Sequence, residues 1–332
     1  MNEVYKKVET IISPVYMVGG SVRDCLLGAE PKDYDFSTPH DPETIERKIR
    51  EAKRKPFLTG KRFGTIGVKI GGHLVEITTF RNEIYQRGSR KPDVVYVDDI
   101  AADLSRRDFT INAIAMRDGR IIDPFSGARD IKEKRIRCVG IATTRFKEDP
   151  LRMLRAARFA AQLGFIVDDA VLKTITKLSH RILEISKERW VGELDRLLLS
   201  PFVERGLHCL MDTGLLNYII PELSCQREYD QRSRYHSHDL WEHTIRVTSQ
   251  VPLDRDIRWA ALLHDMAKPF VRYDRDDRRS TYAKHDILGY EMVIRLGGYL
   301  KWSNRRIKAV SELVRDHMND ESPLRESDNN AK

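Results

Sequence analysis

Two aspartates near the N-terminus are separated by a single residue. Asp33 and Asp35 flank Tyr34 in the segment KDYDFST, whose aromatic and β-branched residues predict a strand. Because residues i and i+2 of a strand point to the same side, both carboxylates are expected on one face of a sheet. Two anions this close repel each other, and a bound cation removes that cost. Hard oxygen ligands suit Mg²⁺, which also takes substrate phosphates as ligands.

A glycine pair and a cation precede the aspartates. Gly19 and Gly20, in GGSVRD, let the backbone approach a phosphate closely and offer N–H donors, and Arg23 adds a positive charge. Together with the two carboxylates, this pattern indicates a site for a metal ion and a triphosphate. Glu76, in the predicted strand HLVEITTF, is a candidate third acid at the same site. An exposed strand position is an equally good interpretation of Glu76.

A second set of candidate metal ligands lies in the C-terminal part of the sequence. Its members, four histidines and one aspartate in segments with helical patterns, are His243, His264, Asp265, His285 and His317. Imidazole ligands favour transition metals over Mg²⁺, so these segments predict a transition-metal site. His243, His264 and Asp265 are the first three expected ligands. The sequence leaves the fourth ligand open among Asp316, His317 and His285.

The composition predicts a soluble protein in a reducing compartment. The 332 residues include 58 basic and 50 acidic side chains, and the formal net charge of +8 favours a polyanionic partner without identifying one. The four cysteines form no CxxC pair, which is typical of free thiols rather than of disulfides or a zinc knuckle. No apolar run reaches the length of about eighteen residues that a membrane span needs. We therefore expect no membrane partner and a cytoplasmic location.

The elements that must position these residues change along the chain. Residues 1–140 contain five β-rich runs, VYMVGG, DYDFST, GTIGVKI, HLVEITTF and DVVYV, and two segments that indicate helices, PETIERKIREAKR and AADLSRRDFTINAIA. From KEDPLRMLRAARFAAQLGF onward the pattern is almost wholly helical. The sequence predicts an α+β fold with domains at 1–140, 141–225 and 239–320, and a linker at 226–238. The polar residues 319–332 are predicted to be a frayed tail.

Four segments, in this order, resemble the successive motifs of one family. GGSVRDCLLG with KDYDFST, RRDFTINAIA, DPFSGARDI and EDPLRMLRAARFAAQLGF are similar to motifs of the class II tRNA nucleotidyltransferases (CCA-adding enzymes) and bacterial poly(A) polymerases. The resemblance spans roughly residues 15–195, and four motifs together are far more specific than one. It implies a polymerase-β-like nucleotidyltransferase head and an all-α neck and body. It also implies addition of C, C and A to the 3′ end of tRNA from CTP and ATP.

The resemblance gives individual residues a role. It implies that Asp33 and Asp35 hold two Mg²⁺ ions, one of which activates the RNA 3′-hydroxyl while the other neutralises the leaving pyrophosphate. The other residues that it implies for nucleotide binding are Gly20, Arg23, Arg107, Asp108, Asn112, Asp149, Arg152, Arg155 and Arg158. Residues 81–99 correspond to a flexible loop of the family, at the full length that accompanies A addition. Family members continue into more helical tail than follows His317; either the tail is minimal here or this sequence lacks it, which leaves the strength of the grip on tRNA open and does not affect the expected chemistry.

The motif EDPLR suggests how bases are chosen. Asp149 and Arg152 are three positions apart, so they are expected on one face of a helix. A carboxylate accepts from an exocyclic amine, and a guanidinium donates to the neighbouring ring acceptor. Cytosine and adenine share this edge, whereas uracil and guanine lack it. In the family this motif acts as an amino-acid template, and we expect the following motif, KERWVGEL, to supply structural braces through Glu188, Arg189 and Glu193.

The segment WAALLHDMAKP, around His264 and Asp265, resembles the HD superfamily of metal-dependent phosphohydrolases. It implies a helical HD domain, and two interpretations stay open. The domain either hydrolyses phosphates, with 2′,3′-cyclic phosphates as the expected substrates, or is a degenerate fold that is kept for binding RNA.

Three other functions fit parts of this sequence. The head motifs overlap with those of A-adding enzymes and poly(A) polymerases. An HD-type nucleotide phosphohydrolase, with the head as a recognition module, is disfavoured by the intact pair of Asp33 and Asp35. A non-catalytic RNA-binding protein requires that these acids hold no metal.

Overall fold

The computed structural model describes residues 3–84, 93–232, 239–276 and 279–331. The chain divides into two compact units, residues 1–149 and 150–332. The strands of the first unit are β1 (Tyr16–Val18), β2 (Tyr34–Thr38), β3 (Pro56–Phe57), β4 (Thr65–Ile70), β5 (His73–Thr79), β6 (Arg81–Ile84), β7 (Asp93–Tyr96), β8 (Ala115–Arg117), β9 (Arg120–Ile122) and β10 (Arg135–Ile136). Its helices are α1 (Glu3–Ile11), α2 (Gly20–Leu26), α3 (Pro42–Glu51), α4 (Ile100–Ser105), α5 (Gly127–Lys132) and α6 (Ala142–Glu148).

A seven-stranded sheet forms the centre of the first unit, in the order β3-β4-β5-β2-β1-β8-β9. β2 and β5 pair in parallel, which places Asp35 opposite Glu76, and the other neighbours pair antiparallel. Alternate residues of these strands are buried, as expected for a sheet with one face on the core. Examples are Met17, Phe36, Ile66, Val68, Val75 and Ile77. All five predicted strands are present, and the predicted α+β class is confirmed.

The segment AADLSRRDFTINAIA was predicted to be one helix, and this prediction is wrong. α4 ends at Ser105, Phe109 is extended, and only a short 3₁₀ turn, Thr110–Asn112, follows before β8. Non-local hydrogen bonds replace those of a helix, since Thr110 N donates to Arg137 O at 2.9 Å and Val139 N donates to Asp108 O at 3.1 Å. Helical propensity is a weak preference that such tertiary contacts override.

The second unit is almost entirely helical. Its elements are α7 (Leu151–Leu163), β11 (Ile166–Val167), α8 (Asp169–Leu178), α9 (Lys187–Leu198), α10 (Val203–Asp212), α11 (Leu216–Ile219), α12 (Pro221–Ser224), α13 (Leu240–Gln250), α14 (Arg255–Leu263), β12 (Tyr273–Asp274), β13 (Ser280–Thr281), α15 (His285–Tyr299), α16 (Asn304–Arg315) and α17 (Arg325–Asn330). Most of the predicted apolar stripe of α7 is buried, including Leu151, Leu154, Ala157 and Ala161. Residues 226–232 of the predicted linker contain no helix or strand, and 233–238 lie outside the described residues.

The C-terminal residues are folded, so the prediction of a frayed tail is wrong. α17 lies within this segment, and Leu324, Asp328 and Ala331 are buried. α17 packs against α13. Polar composition alone predicted disorder, whereas the few apolar residues of the tail are sufficient to anchor it.

Acidic residues on α9 connect helices from different parts of the second unit. Glu193 accepts from Arg158 Nε of α7 at 2.5 Å, which confirms its predicted role as a brace. Asp195 Oδ1 accepts from Trp259 Nε1 of α14 at 2.7 Å and from Arg306 Nη2 of α16 at 2.5 Å. These charge-assisted contacts, of which only the one between Arg158 and Glu193 is fully buried, connect α9 to α7, α14 and α16.

Candidate functional site

Asp33 and Asp35 lie where β2 begins. Tyr34 between them is buried, and its ring packs edge-on against His73 with 5.1 Å between ring centroids. By contrast, Asp33 is exposed and Asp35 is half-buried. The Ser21 hydroxyl of α2 accepts from Asp35 N at 2.8 Å and donates to Asp33 O at 3.1 Å. This bridge fixes the backbone on both sides of Tyr34, so the carboxylates project from a rigid segment.

Glu76 brings a third carboxylate to the same strand pair. It is exposed and stands opposite Asp35 in the register of β2 and β5. Burial raises the pKa of Asp35; Arg107 opposes this rise, and the charges of Glu76 and Asp33 add to it. A hard cation gains most where carboxylates are desolvated and repel one another, because it relieves both effects. The donor set therefore fits Mg²⁺, which Asp33, Asp35 and Glu76 would hold.

A row of hydrogen bonds links three of the residues that were predicted to bind nucleotide. Arg23 Nη1 donates to Asn112 Oδ1 at 2.8 Å, and Asn112 Nδ2 donates to Asp108 Oδ1 at 3.2 Å. The same oxygen of Asp108 accepts from Phe109 N at 2.8 Å. Arg23 also donates to Asp24 Oδ1 through Nε and Nη2. Arg23, Asn112 and Asp108 are all buried, so they form a fixed wall rather than mobile surface charges.

Two glycines allow arginine side chains to approach the backbone beside Asp35. Gly19 has a φ of +68°, and a Cβ at this position would lie 2.7 Å from Arg107 Nη1. Gly20 is the first residue of α2, and a Cβ there would lie 3.5 Å from Arg23 Nη2. A larger side chain at Gly19 would therefore strain the backbone and displace the guanidinium of Arg107. The guanidinium of Arg107 comes close to the carboxylates, where it can meet a phosphate.

A cluster of imidazoles and carboxylates, which we call the HD cluster, is buried in the second unit. Its members are His243, His264, Asp265, His285, His317 and Asp328. In its first group, His243 Nε2 lies 3.3 Å from His264 Nε2, 3.3 Å from Asp265 Oδ2 and 3.1 Å from Asp328 Oδ1. In its second group, His285 Nε2 lies 3.2 Å from His317 Nε2 and 3.4 Å from Asp265 Oδ1. Asp265 thus offers one oxygen to each group.

Backbone carbonyls orient every imidazole of the HD cluster. The Nδ1 contacts are Ala331 O at 3.4 Å for His243, Ala261 O at 2.8 Å for His264, Tyr282 O at 2.7 Å for His285 and Val314 O at 2.6 Å for His317. An Nδ1–H that donates to a carbonyl leaves Nε2 with a lone pair, which is the form that binds a metal. Two such lone pairs facing each other are satisfied by a cation between them. The donor set therefore fits a transition metal.

The electrostatic environment differs within the HD cluster. Burial lowers the pKa of His264, but the carboxylates of Asp265 and Asp328 outweigh it and raise that pKa to about 10. Burial and the charge of His264 lower the pKa of His317 to about 4. Lys268 Nζ lies 2.6 Å from Asp265 Oδ2. Positive charge is therefore favoured beside the two carboxylates and disfavoured at His317.

Asp328 completes the first group, and the sequence did not predict this residue. Of the three candidates for the fourth ligand, His285 and His317 belong to the second group. Asp316 is exposed and pairs with Arg315 at 2.8 Å. Asp328 was missed because it lies in the polar segment that was predicted to be frayed. The buried flanking residues Leu324 and Ala331 are the signal that could have found it.

Three family models match the chain in succession. They are a poly A polymerase head domain at residues 15–137, a probable RNA and SrmB- binding site of polymerase A at 164–226, and an HD domain at 235–332. A CCA-adding enzyme of Latilactobacillus sakei is 41% identical over 225 residues, which are 67% of this chain and 55% of that enzyme. One of Anoxybacillus flavithermus is 37% identical over 269 residues, or 78% and 64% of the two chains. The chain belongs to the class II CCA-adding enzyme and poly(A) polymerase family.

Solved structures of the family have the same fold. The CCA-adding enzyme of Bacillus stearothermophilus, in complex with CTP, is 29% identical with a TM-score of 0.69, and the match covers 98% of this chain and 78% of that one. A tRNA nucleotidyltransferase complexed with a primer tRNA and an incoming ATP analog is 25% identical with a TM-score of 0.57, over 94% and 93%. This chain spans only about half to two thirds of the length of the curated relatives it matches.

The motif EDPLR, which we predicted to select bases, does not form the single helical face that we expected. Asp149 has an extended backbone at the end of α6, and α7 begins only at Leu151, so Asp149 and Arg152 do not share a helix. Pro150 separates them, and a proline disfavours helical geometry in the residue before it. Asp149 is half-buried and Arg152 is buried. The three-residue spacing of Asp149 and Arg152 therefore does not place them on one face of a helix.

Two other predicted nucleotide-binding residues contact protein side chains. Arg158 donates to Glu193 and also to Gln162 Oε1 at 3.0 Å, while its guanidinium lies 4.0 Å from the centre of the Phe159 ring. Arg155 Nη1 lies 3.9 Å from Glu193 Oε1. These contacts make Arg158 a packing residue of α7 and α9. Residues 85–92, in the segment predicted to be the family's loop, lie outside the described residues.

No helix in the described parts of the chain is both long and apolar enough to cross a membrane.

Proposed function

We propose that the protein is a CCA-adding tRNA nucleotidyltransferase that adds C, C and A to the 3′ end of tRNA from CTP and ATP. The observation that carries this proposal is the placement of Asp33, Asp35 and Glu76 on the neighbouring strands β2 and β5, where the charges of Glu76, Asp33 and Arg107 all act on Asp35. Membership of the family supports it. So do the similar structures, since one was solved with CTP and another with a primer tRNA and an ATP analog.

In the proposed reaction, the terminal 3′-oxygen of the RNA attacks the α-phosphorus of the incoming nucleotide. The bond from that phosphorus to the oxygen of the β-phosphate breaks, pyrophosphate leaves, and the hydroxyl proton passes to solvent. Mg²⁺, when bound, lowers the proton affinity of the 3′-hydroxyl and offsets the charge of pyrophosphate. Asp33 and Asp35 would hold the metal, with Glu76 as a further ligand. Arg107 contacts the triphosphate, and Asp108 accepts from a ribose hydroxyl.

We propose that Asp149 and Arg152 choose the base. A carboxylate acceptor and a guanidinium donor match the amine and ring nitrogen of cytosine and adenine, as the motif EDPLR indicates. Gly20, Arg23 and Asn112 shape the nucleotide site through the backbone and the buried hydrogen bonds described above.

The deciding experiment uses three tRNA transcripts, one lacking CCA, one lacking CA and one lacking only A. Each is incubated with Mg²⁺ and single or mixed nucleoside triphosphates, and the products are read at nucleotide resolution. With CTP and ATP together, we expect completion of CCA on all three transcripts and no further addition. Addition of A to the third transcript alone would identify an A-adding enzyme, and long A tails would identify a poly(A) polymerase. No addition to any transcript would overturn the proposal.

A second activity is proposed for the HD cluster. Four imidazoles with fixed Nδ1 atoms and two buried carboxylates suit catalysis by a transition metal, and the expected substrate is a 2′,3′-cyclic phosphate. The test is hydrolysis of 2′,3′-cyclic AMP in the presence of Mn²⁺, Co²⁺ or Ni²⁺. Absence of hydrolysis with all three metals, in protein shown to bind them, would favour the degenerate HD fold.

We also propose that the head uses Mg²⁺ and that the protein acts in the cytoplasm. The exposed oxygen-only ligands of the head support the choice of metal. The described structure contains free cysteines at positions 25, 138, 209 and 225, which suits a reducing compartment.

A further inference from the structure

Asp103 is a buried carboxylate that no step of the proposed reaction uses. It lies on α4, and its side chain is 0% exposed. Oδ1 accepts from Arg106 Nε at 3.0 Å and Nη2 at 2.8 Å, and from Arg81 N at 3.3 Å. Oδ2 accepts from Ser37 Oγ at 3.3 Å and faces Arg107 Nη2 at 3.4 Å. Every contact thus comes from a strand or segment that borders the nucleotide site.

Arg107 is held between Asp103 and the backbone at Gly19. Its Nη2 faces Asp103, while Nη1 donates to Asn112 O at 3.4 Å and occupies the space where a Cβ of Gly19 would be. Its Nε is buried and has no hydrogen-bond partner among the residues that the structure describes. The positive charge of Arg107 acts directly on Asp35. Protein acceptors therefore fix the guanidinium through one N–H of Nη1 and one of Nη2, and the second N–H of each nitrogen remains for a ligand.

We propose that Asp103 is a positioning residue for the triphosphate, because it orients the guanidinium of Arg107 toward the backbone at Gly19. This inference rests on the proposed function. A planar guanidinium binds two acceptors in fixed directions, so an acceptor on one edge determines where the other edge points. Asp103 also pairs with Arg106, which leaves only part of its charge to neutralise Arg107. Arg107 therefore keeps positive potential for a phosphate.

The test is a double-mutant cycle with Asp103→Asn and Arg107→Ala. Calorimetry gives the Kd for CTP with Mg²⁺, and addition to tRNA lacking CCA gives KM and kcat. We expect Asp103→Asn to raise Kd and KM about tenfold and to change kcat less than about threefold, since a positioned cation acts on the bound triphosphate. In the Arg107→Ala background, the same substitution should change Kd less than about twofold, because interacting residues are not additive.

Asp99→Ala is the matched control. Asp99 caps the same helix, with its carboxylate accepting from Ala101 N at 3.0 Å, but it is exposed and contacts neither arginine. The control should lower the melting temperature and leave the Kd for CTP within about twofold. An equal rise in Kd for Asp99→Ala and Asp103→Asn would reduce Asp103 to a purely structural role and overturn the inference. So would equal effects of Asp103→Asn in both backgrounds.

Arg107→Lys keeps the inference testable if Asp103→Asn fails to fold. Lysine retains the charge and loses the planar fork, so its Kd for CTP should match that of Arg107→Ala within about threefold. Binding as tight as wild type would show that no oriented fork is needed. The binding assay also separates this inference from the proposed function. Wild-type protein that binds CTP and adds nothing to tRNA would refute the function, and the cycle on Kd would still decide the role of Asp103.

Discussion

The head carboxylates and the HD cluster are two candidate metal sites with opposite chemistry. In the head, Asp33 and Glu76 are exposed, Asp35 is half-buried, and every ligand atom is an oxygen. In the HD cluster all six residues are buried, and nitrogen atoms outnumber oxygen-bearing side chains. An open site of oxygens suits a cation that shares its ligands with a substrate and water. A closed site with imidazoles suits a transition metal that the protein itself surrounds.

The two sites also treat buried acids in opposite ways. Burial and neighbouring anions raise the pKa of Asp35, so its ionised form is less favourable than that of a free carboxyl group. Burial also acts against ionised Asp265, but His264 and Lys268 outweigh it and hold its pKa well below the usual value. The carboxylates of the head therefore need a bound cation to offset their charge, whereas His264 and Lys268 already offset the charge of Asp265 in the HD cluster. The comparison teaches that the head must be tested with metal and nucleotide, and the HD cluster with metal alone.

The largest expected effect separates the two sites completely. Asp33→Ala or Asp35→Ala removes a carboxylate ligand of the proposed Mg²⁺, and nucleotide addition should fall by roughly a thousandfold or more, equivalent to about 4 kcal/mol of transition-state stabilisation. Binding of Mn²⁺ at the HD cluster should not change. The measurement is the single-turnover rate on tRNA lacking CCA, with exposed Asp98→Asn as the control. Nucleotide addition at near wild-type rate by either alanine variant would contradict the assignment of Asp33 and Asp35 as metal ligands.

The HD cluster can be divided by its bridging residue. Asp265→Asn should weaken both groups, whereas Asp328→Asn should weaken only the group of His243 and His264. Equilibrium dialysis with Mn²⁺ or Ni²⁺ would then show a larger loss of bound metal for Asp265→Asn. His264→Ala should lower hydrolysis of 2′,3′-cyclic AMP at least about a hundredfold and leave addition within about twofold, since metal ligands are essential to such a site. Loss of addition in a folded His264→Ala protein would contradict the two-site picture.

Substitutions at Asp149 and Arg152 should have a smaller effect, and this effect should be on the choice of nucleotide. Asp149→Ala or Arg152→Ala removes one side of the proposed edge recognition, and a charged hydrogen bond contributes about 1.5–3 kcal/mol, or roughly tenfold to hundredfold. Incorporation of UTP or GTP relative to CTP and ATP should rise by this factor, measured as ratios of kcat/KM. Affinity for Mg²⁺ should stay the same. Unchanged nucleotide selectivity in both variants would remove the two residues from base selection.

The smallest expected effect concerns stability and pH. The pKa of Asp35 is higher in the folded protein than in the unfolded chain, so its ionisation destabilises the fold as pH rises above the unfolded value of about 3.9. Asp35→Asn removes that cost. Without metal at pH 7–8 it should raise the melting temperature by roughly 2–4 °C, and near pH 3 it should have little effect. A melting temperature that is lower than wild type at both pH values would contradict the direction of this shift.

The sequence was sufficient where local pattern and chemistry agree. The alternation in DYDFST predicts β2, and the spacing of Asp33 and Asp35 follows from it without further information. The segment RRDFTINA was not predictable in the same way, because its backbone bonds to Arg137 and Val139, and only a short 3₁₀ turn bonds within the segment. Its helical composition was a correct local preference that long-range contacts overrode.

Two residues of the candidate sites escaped prediction for different reasons. Asp328 reaches the HD cluster only because Leu324 and Ala331 anchor a segment of polar composition. Asp103 was not singled out from the sequence, and only the structure shows that its side chain is buried. In both cases the missing information is tertiary. The local sequence does not specify which acidic side chains of a helix face solvent and which face the interior.

The contacts of α9 have a consequence for dividing the protein. Glu193 binds a helix that precedes α9 in the chain, while Asp195 binds Trp259 and Arg306, which come from helices of the HD domain. A shortened protein that ends before α13 would leave Asp195 without these donors and uncover the surface that Trp259 now fills. Substitution of His264 changes the metal site alone, whereas removal of α13 to α17 would also expose the part of α9 that Trp259 and Arg306 contact. An HD domain without metal would therefore still stabilise α9 through Trp259 and Arg306.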